Sequence, residues 1–179
     1  MKKLKALLLL STILMVLAQC KKFDEYTKFE MEYEESVVIP SSTSKLLPFN
    51  LFTPKIETNS ESTFEVNDTR KDLVESIQLT NITLTITDPD NANFSFLESI
   101  EVYLSAEGLD EIKVAWEDPV PEDTGNELVL ETTDMNLEAY IKKDEFKLRL
   151  KTVTDELLSK DYHIDVHATL FVDAKILGQ

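Results

Sequence analysis

The only two histidines stand in "HIDVH", as His163 and His167 with Asp165 between them. In an extended strand, residues two apart project from the same face. His163, Asp165 and His167 would then form one row, with neighbours roughly 7 Å apart. Imidazole nitrogens and a carboxylate are ligands for Zn²⁺ or Cu²⁺. The same alternation also describes an ordinary solvated strand face, and a straight row needs twist or a fourth ligand to close on one ion. A second set lies in "TDPDNANFS", where Asp88, Asp90, Asn91 and Asn93 share one loop. Loop oxygens suit Ca²⁺, but the glycine and bidentate glutamate of an EF-hand are missing. These residue types are also ordinary turn formers. Asp118, Glu122 and Asp123 join them only if two loops meet at one end of the fold.

Covalent catalysis finds little support. The glycines are Gly108, Gly125 and Gly178, and there is no GxGxxG, GxxxxGK[ST] or GxSxG. Phosphate cradles and nucleophile elbows depend on such glycines. The histidines sit mid-strand, away from any elbow, so no Ser-His-Asp set can be assembled. The sequence implies no cofactor and no enzyme. Trp116 and Tyr103 could form a surface on which a sugar stacks, but Trp116 shares the parity of Ile112 and Val114. That parity assigns Trp116 to the core.

The elements that position these residues are mostly strands. "KFEMEYEESVVIP" sets Phe29, Met31 and Tyr33 against Lys28, Glu30, Glu32 and Glu34, with period two, and Pro40 ends it. The segment with Pro48 and Pro54 is expected to be an irregular crossing, with Leu46, Leu47, Phe49, Leu51 and Phe52 tucked onto the core. "STFEVND" is expected as a short strand and "TRKDLVES" as one helical turn. In "IQLTNITLTITDP", Ile77 and Leu79 have one parity and Ile82, Leu84 and Ile86 the other. Either a β-bulge lies near Thr80-Asn81, or the strand passes from one sheet to another. "SIEVYLSAEG" and "DEIKVAWED" form a hairpin, and "ELVLET" is a short strand. "DMNLEAYIKKD" places Leu137, Tyr140 and Ile141 at helical spacing, with Asp134 as its cap. "EFKLRLKTVT" and "DYHIDVHATLFVDA" alternate throughout.

About eight short alternating strands and one short helix predict an all-β fold of antiparallel sheets, each with one wet face. The expectation is an immunoglobulin-like β-sandwich, with a small β-barrel as the alternative.

The N-terminus carries an address. Lys2, Lys3 and Lys5 precede an apolar run from Leu7 to Ala18. A membrane-spanning helix needs roughly 20 apolar residues, and this shorter run fits a signal-peptide core. The run ends in Leu17-Ala18-Gln19-Cys20, and Cys20 is the only cysteine, so no internal disulfide can form. These four residues resemble a bacterial lipobox, although Gln19 departs from the Gly, Ala or Ser usual before the cysteine. The resemblance implies cleavage between Gln19 and Cys20, with diacylglycerol (and typically a further acyl chain such as palmitate) on Cys20. Two or three chains hold a protein where one gives only reversible binding. Lys21, where an Asp would signal inner-membrane retention, resembles an outer-membrane passenger. Lys21, Lys22, Asp24 and Glu25 resemble the export signal of surface lipoproteins in Bacteroidota. The stretch from about Ile77 to Val172 resembles the sandwich portion of Bacteroidota envelope lipoproteins. The implied organisation is a signal peptide over 1–19, a lipid-anchored tether over 20–27 and one sandwich domain over 28–179.

The chain has a formal net charge of −16. Removing residues 1–19 takes three lysines and no acid, leaving 15 basic against 34 acidic residues, or −19. Such a chain repels nucleic acid. The expected function is that of a non-enzymatic, lipid-anchored envelope or cell-surface protein. It meets the membrane through its anchor and presents a sandwich to a protein or glycan partner. The alternative is a metal- or small-ligand-binding lipoprotein that uses the surface His/Asp row or the acidic loops.

Overall fold

The computed structural model describes residues 28–41 and 44–175. The leader, Gln19, Cys20 and the tether over 20–27 lie outside the described residues. In chain order the elements are β1 (Lys28–Ile39), β2 (Phe49–Phe52), β3 (Ile56–Glu57), helix α1 (Ser60–Val66), β4 (Val74–Asp88), β5 (Leu97–Ala106), β6 (Ile112–Glu117), β7 (Glu127–Val129), β8 (Glu131–Thr132), helix α2 (Glu138–Ile141), β9 (Glu145–Thr154) and β10 (Tyr162–Ala174). Single 3₁₀ turns at Lys71–Leu73 and Phe94–Phe96 lead into β4 and β5. Among the described residues no helix is long and apolar enough to cross a membrane.

Two antiparallel sheets face each other. The smaller runs β1-β10-β4-β7; the larger runs β2-β9-β5-β6-β8, with β3 extending the β2 side along β9. This is the expected β-sandwich and not a closed barrel, because no pairing joins the edge strands β1 and β2. The inner faces follow the sequence alternation. Met31, Val37 and Ile39 of β1, Phe146, Leu148 and Leu150 of β9, and Ile164, Val166 and Leu170 of β10 are all buried. Tyr33 is half-buried, packs edge-on against Phe146 at 5.1 Å, and donates its hydroxyl to the Thr58 carbonyl at 2.6 Å. Burial raises its phenol pKa well above the usual range.

The parity change within β4 is a bulge. Thr169 pairs with Asn81 and Leu170 with Leu79, which leaves Thr80 as the extra residue. Thr80 and Asn81 both point outward, and the Thr80 hydroxyl donates to the Thr169 carbonyl at 3.1 Å. β4 stays beside β10 along its whole length, so it does not change sheets. The strand that does is "ELVLET". β7 pairs with β4, and β8 pairs with β6. Between them the Leu130 N–H donates to the Ile82 carbonyl at 3.1 Å, so the segment stitches one flank of the sandwich.

Three local expectations change. "STFEVND" is helical, not extended: α1 buries Phe64 completely and leaves Val66 79% exposed. The apolar pair Phe64 and Val66 imitated a strand, but only one of them has a core to enter. The prolines allow β2 and β3 to form on either side of Thr53, whose hydroxyl accepts the Leu148 N–H at 3.0 Å. With the helix gained, these two strands added and "ELVLET" divided, the described residues form ten strands and two α-helices. Finally, Asp134 does not cap α2: Leu137 is the N-cap residue, and Asn136 before it accepts the Glu138 N–H at 3.0 Å. The same carbonyl oxygen takes the Ile77 N–H at 3.0 Å and so covers an open stretch of the β4 edge. Leu137, Tyr140 and Ile141 are buried as their spacing predicts.

Removing Thr80 joins Leu79 to Asn81 and preserves alternation; removing Thr83 turns every later residue of β4 to the wrong face. A chain lacking Thr80 is expected to fold with a loss of about 1–2 kcal/mol, on the order of one hydrogen bond. A chain lacking Thr83 is expected not to fold. Urea unfolding followed by circular dichroism separates the two, and equal losses would contradict the bulge assignment.

Candidate functional site

Among the described residues the interior is closely packed. The space between the sheets holds a void of about 30 Å³, with no polar surface lining it. A water molecule there would lack hydrogen-bond partners, so the void is dry packing space.

On the outer face of the smaller sheet, β10 carries His163, Asp165 and His167 as the alternation predicts, between β1 and β4. His163 lies opposite Val38 and Asp88, Asp165 opposite Ser36 and Thr85, and His167 opposite Glu34 and Thr83. His167 Nδ1 is 3.4 Å from a Glu34 carboxylate oxygen, but Glu34 is largely exposed. Asp88 ends β4, and Asp90 stands in the turn that follows. That loop does meet the loop containing Asp118, Glu122 and Asp123, since the Phe94 N–H donates to the Gly125 carbonyl at 3.0 Å. Asn93 is engaged in the turn itself, accepting from the Ser95 N–H at 3.1 Å and the Ser95 hydroxyl at 2.6 Å. Among the described residues no three His, Cys, Asp or Glu side chains converge as a metal site. The pleat spaces the row along β10 instead of gathering it.

The larger sheet presents a different face, which the sequence parity concealed. In the β5–β6 hairpin, Val102 pairs with Ala115 and Tyr103 with Lys113, so Val114 is an inserted residue. Val114 and Ala115 are both buried, and Trp116 is turned outward, half-buried. Its assignment to the core is therefore corrected. The signal was the adjacent apolar pair Val114-Ala115, the inward counterpart of the outward pair Thr80-Asn81. Phe52, expected against the core, is instead 65% exposed on β2.

The register aligns these outward residues in two rows across the sheet. One row is Phe52, Arg149, Tyr103 and Lys113; the next is Asn50, Lys151, Glu101, Trp116 and Glu131. The Arg149 guanidinium lies 4.1 Å from the Tyr103 ring centre, and Lys113 Nζ lies 5.0 Å from that of Trp116. Cations over aromatic faces are attracted by the ring quadrupole. Arg149 also donates to Glu111 at 2.5–3.1 Å and to Asn50 at 2.7 Å. Glu101 accepts from Lys151 at 2.7 Å and from Lys113 and the Tyr103 hydroxyl at 3.2 Å. The Lys151 hydrogen bond is the main cause that holds the Glu101 carboxyl below its usual range, against the opposing effect of burial. Arg149 does the same for Glu111. Glu117, just beyond Trp116, is raised by burial and by the nearby Glu131 charge.

A carboxylate whose pKa is depressed in the folded state contributes stability above its unfolded pKa and loses it as pH falls through the folded value. The stability difference between the wild type and Glu101→Gln is therefore expected to be full at pH 7 and to shrink below about pH 4.3, the unfolded glutamate value. Urea midpoints from pH 7 to pH 3 check this, and a difference independent of pH would contradict it.

No protein-family model matches the chain, and no curated protein matches it. Among solved structures it is similar to "CpGH89CBM32-5" from Clostridium perfringens, described in complex with GalNAc-beta-1,3-galactose. Identity there is 9% over 80% of this chain and 97% of the other, with a TM-score of 0.35. A structure described under carbohydrate-binding modules of the β-sandwich superfamily matches at 13% identity, over 84% of this chain and 56% of the other, with a TM-score of 0.29. Turnip yellow mosaic virus matches at 9% identity, over 84% and 85%, also with a TM-score of 0.29. Likenesses this remote carry no functional argument.

Proposed function

We propose that this chain is a non-enzymatic binding module held at the bacterial envelope by lipid on Cys20, with the outer face of its larger sheet as the binding surface. The observation that carries the binding reading is the pair of residue rows on that face. Phe52, Tyr103 and Trp116 stand there between ordered cations and carboxylates, while the void between the sheets measures only about 30 Å³. A surface whose side chains are already fixed by mutual hydrogen bonds loses little freedom when it binds. The anchor reading rests on the lipobox-like Leu17-Ala18-Gln19-Cys20 and the preceding signal-peptide pattern. Cleavage would free Cys20 as the first residue, and Lys21 directs the product to the outer membrane. The segment over 20–27 then serves as a short leash leading into β1.

Cells grown with radiolabelled palmitate are expected to label the wild-type chain and not Cys20→Ala. They should also retain the wild type with outer-membrane fractions. Absence of label on the wild type, or equal label on Cys20→Ala, would overturn the anchor.

A further inference from the structure

We infer that the ligand of the Phe52–Trp116 face is a neutral glycan chain; this rests on the binding reading above and names its ligand class. The molecule carries a net charge of −16, and the outer face of the smaller sheet shows Glu30, Glu32, Glu34 and Asp165. The two rows on the larger sheet, with the Glu111 that Arg149 holds, are balanced instead. Lys113, Arg149 and Lys151 stand against Glu101, Glu111 and Glu131. A polyanion gains no net attraction there and is repelled by the rest of the molecule. A polycation finds far more favourable charge on the other sheet. An uncharged ligand is the one that this face selects.

The C–H face of a pyranose is apolar and its rim is hydroxyls, so its complement is an aromatic ring beside paired donors and acceptors. Phe52 supplies the most exposed ring, and Tyr103 and Trp116 supply two more. Arg149, Lys113, Lys151 and Asn50 provide donors, while Glu101, Glu111 and Glu131 provide acceptors. Phe52 on β2 and Trp116 on β6 are three strand spacings apart, roughly 14 Å. That is a distance for a short chain of sugars lying across the strands, not for a single ring. The face is an exposed sheet surface rather than a chamber, which suits an extended chain better than an enclosed monosaccharide. Arg149 over Tyr103 and Lys113 over Trp116 fix two of the ring orientations before a ligand arrives.

The test uses the full-length protein in a zwitterionic detergent without a sugar headgroup. Isothermal titration is run with neutral β-1,4-glucan, α-1,4-glucan, β-1,4-mannan, β-1,4-xylan and β-1,4-galactan oligosaccharides, and with polygalacturonate and heparin as polyanions. At least one neutral chain is expected to bind, with Trp116→Ala and Phe52→Ala each weakening it at least tenfold. Phe52→Tyr, which keeps the ring, should retain binding, and thermal melts identify any variant that fails to fold. No binding of any neutral chain overturns the inference. So does binding of polyanions alone, or neutral binding that Trp116→Ala and Phe52→Ala leave unchanged. Palmitate labelling is independent of all these outcomes, so loss of the glycan and loss of the anchor are read separately.

Discussion

Everything presented by this sandwich depends on the two-residue period of the strand and on inserted residues that reset it, of which Thr80 and Val114 decide the faces that matter most. A regular strand sends successive side chains to opposite faces, so one extra residue exchanges inside for outside downstream. Thr80 does this in β4, with two adjacent polar residues outward, and lets Ile77, Leu79, Ile82, Leu84 and Ile86 all reach the core. Val114 does the inverse in β6, with two adjacent apolar residues inward. Without the second insertion, Trp116 would belong to the interior. With it, the only tryptophan joins Glu101 and Glu131 on the outer surface.

The two outer faces follow different electrostatic rules. The face of the smaller sheet is acidic and largely solvated, with His163, Asp165 and His167 spread along β10. The larger sheet places opposite charges in neighbouring positions. Exposed ion pairs contribute little stability one at a time. Their consequence here is geometric: Glu101 is shared by Lys151, Lys113 and Tyr103, and Arg149 is shared by Glu111, Asn50 and the Tyr103 ring. Each side chain limits the rotamers of the next, so the face is ordered as a unit.

The fold was largely legible in the sequence because most strands have one wet and one dry side. β9 alternates throughout, and β1 and β10 do so for most of their length, with Val38 exposed between Val37 and Ile39 and Thr169 buried between Ala168 and Leu170. The parity change in β4 was legible because it spans five aliphatic residues, and the pairing with β10 decides between a bulge and a change of sheet. Its counterpart in β6 was hidden, since Ile112, Val114 and Trp116 satisfy a strict alternation that ignores Ala115. α1 was hidden for a related reason: Phe64 and Val66 are two apart, and nothing local tells that Val66 has no core beside it. Phe52 ends the short strand β2, whose pairing with β9 depends on residues about a hundred positions away. Cys20, the clearest chemical signal in the chain, lies outside the described residues, so its lipid remains a sequence-based proposal.

The central claim is that the Val114 insertion turns Trp116 out onto a ligand-binding face. Because Trp116 is the sole tryptophan, its fluorescence reports that position alone. The account predicts emission characteristic of a partly hydrated indole, quenched by acrylamide in the folded protein, with quenching reduced by a bound neutral oligosaccharide. Blue-shifted emission that acrylamide reaches only after unfolding would place Trp116 in the core and contradict the account.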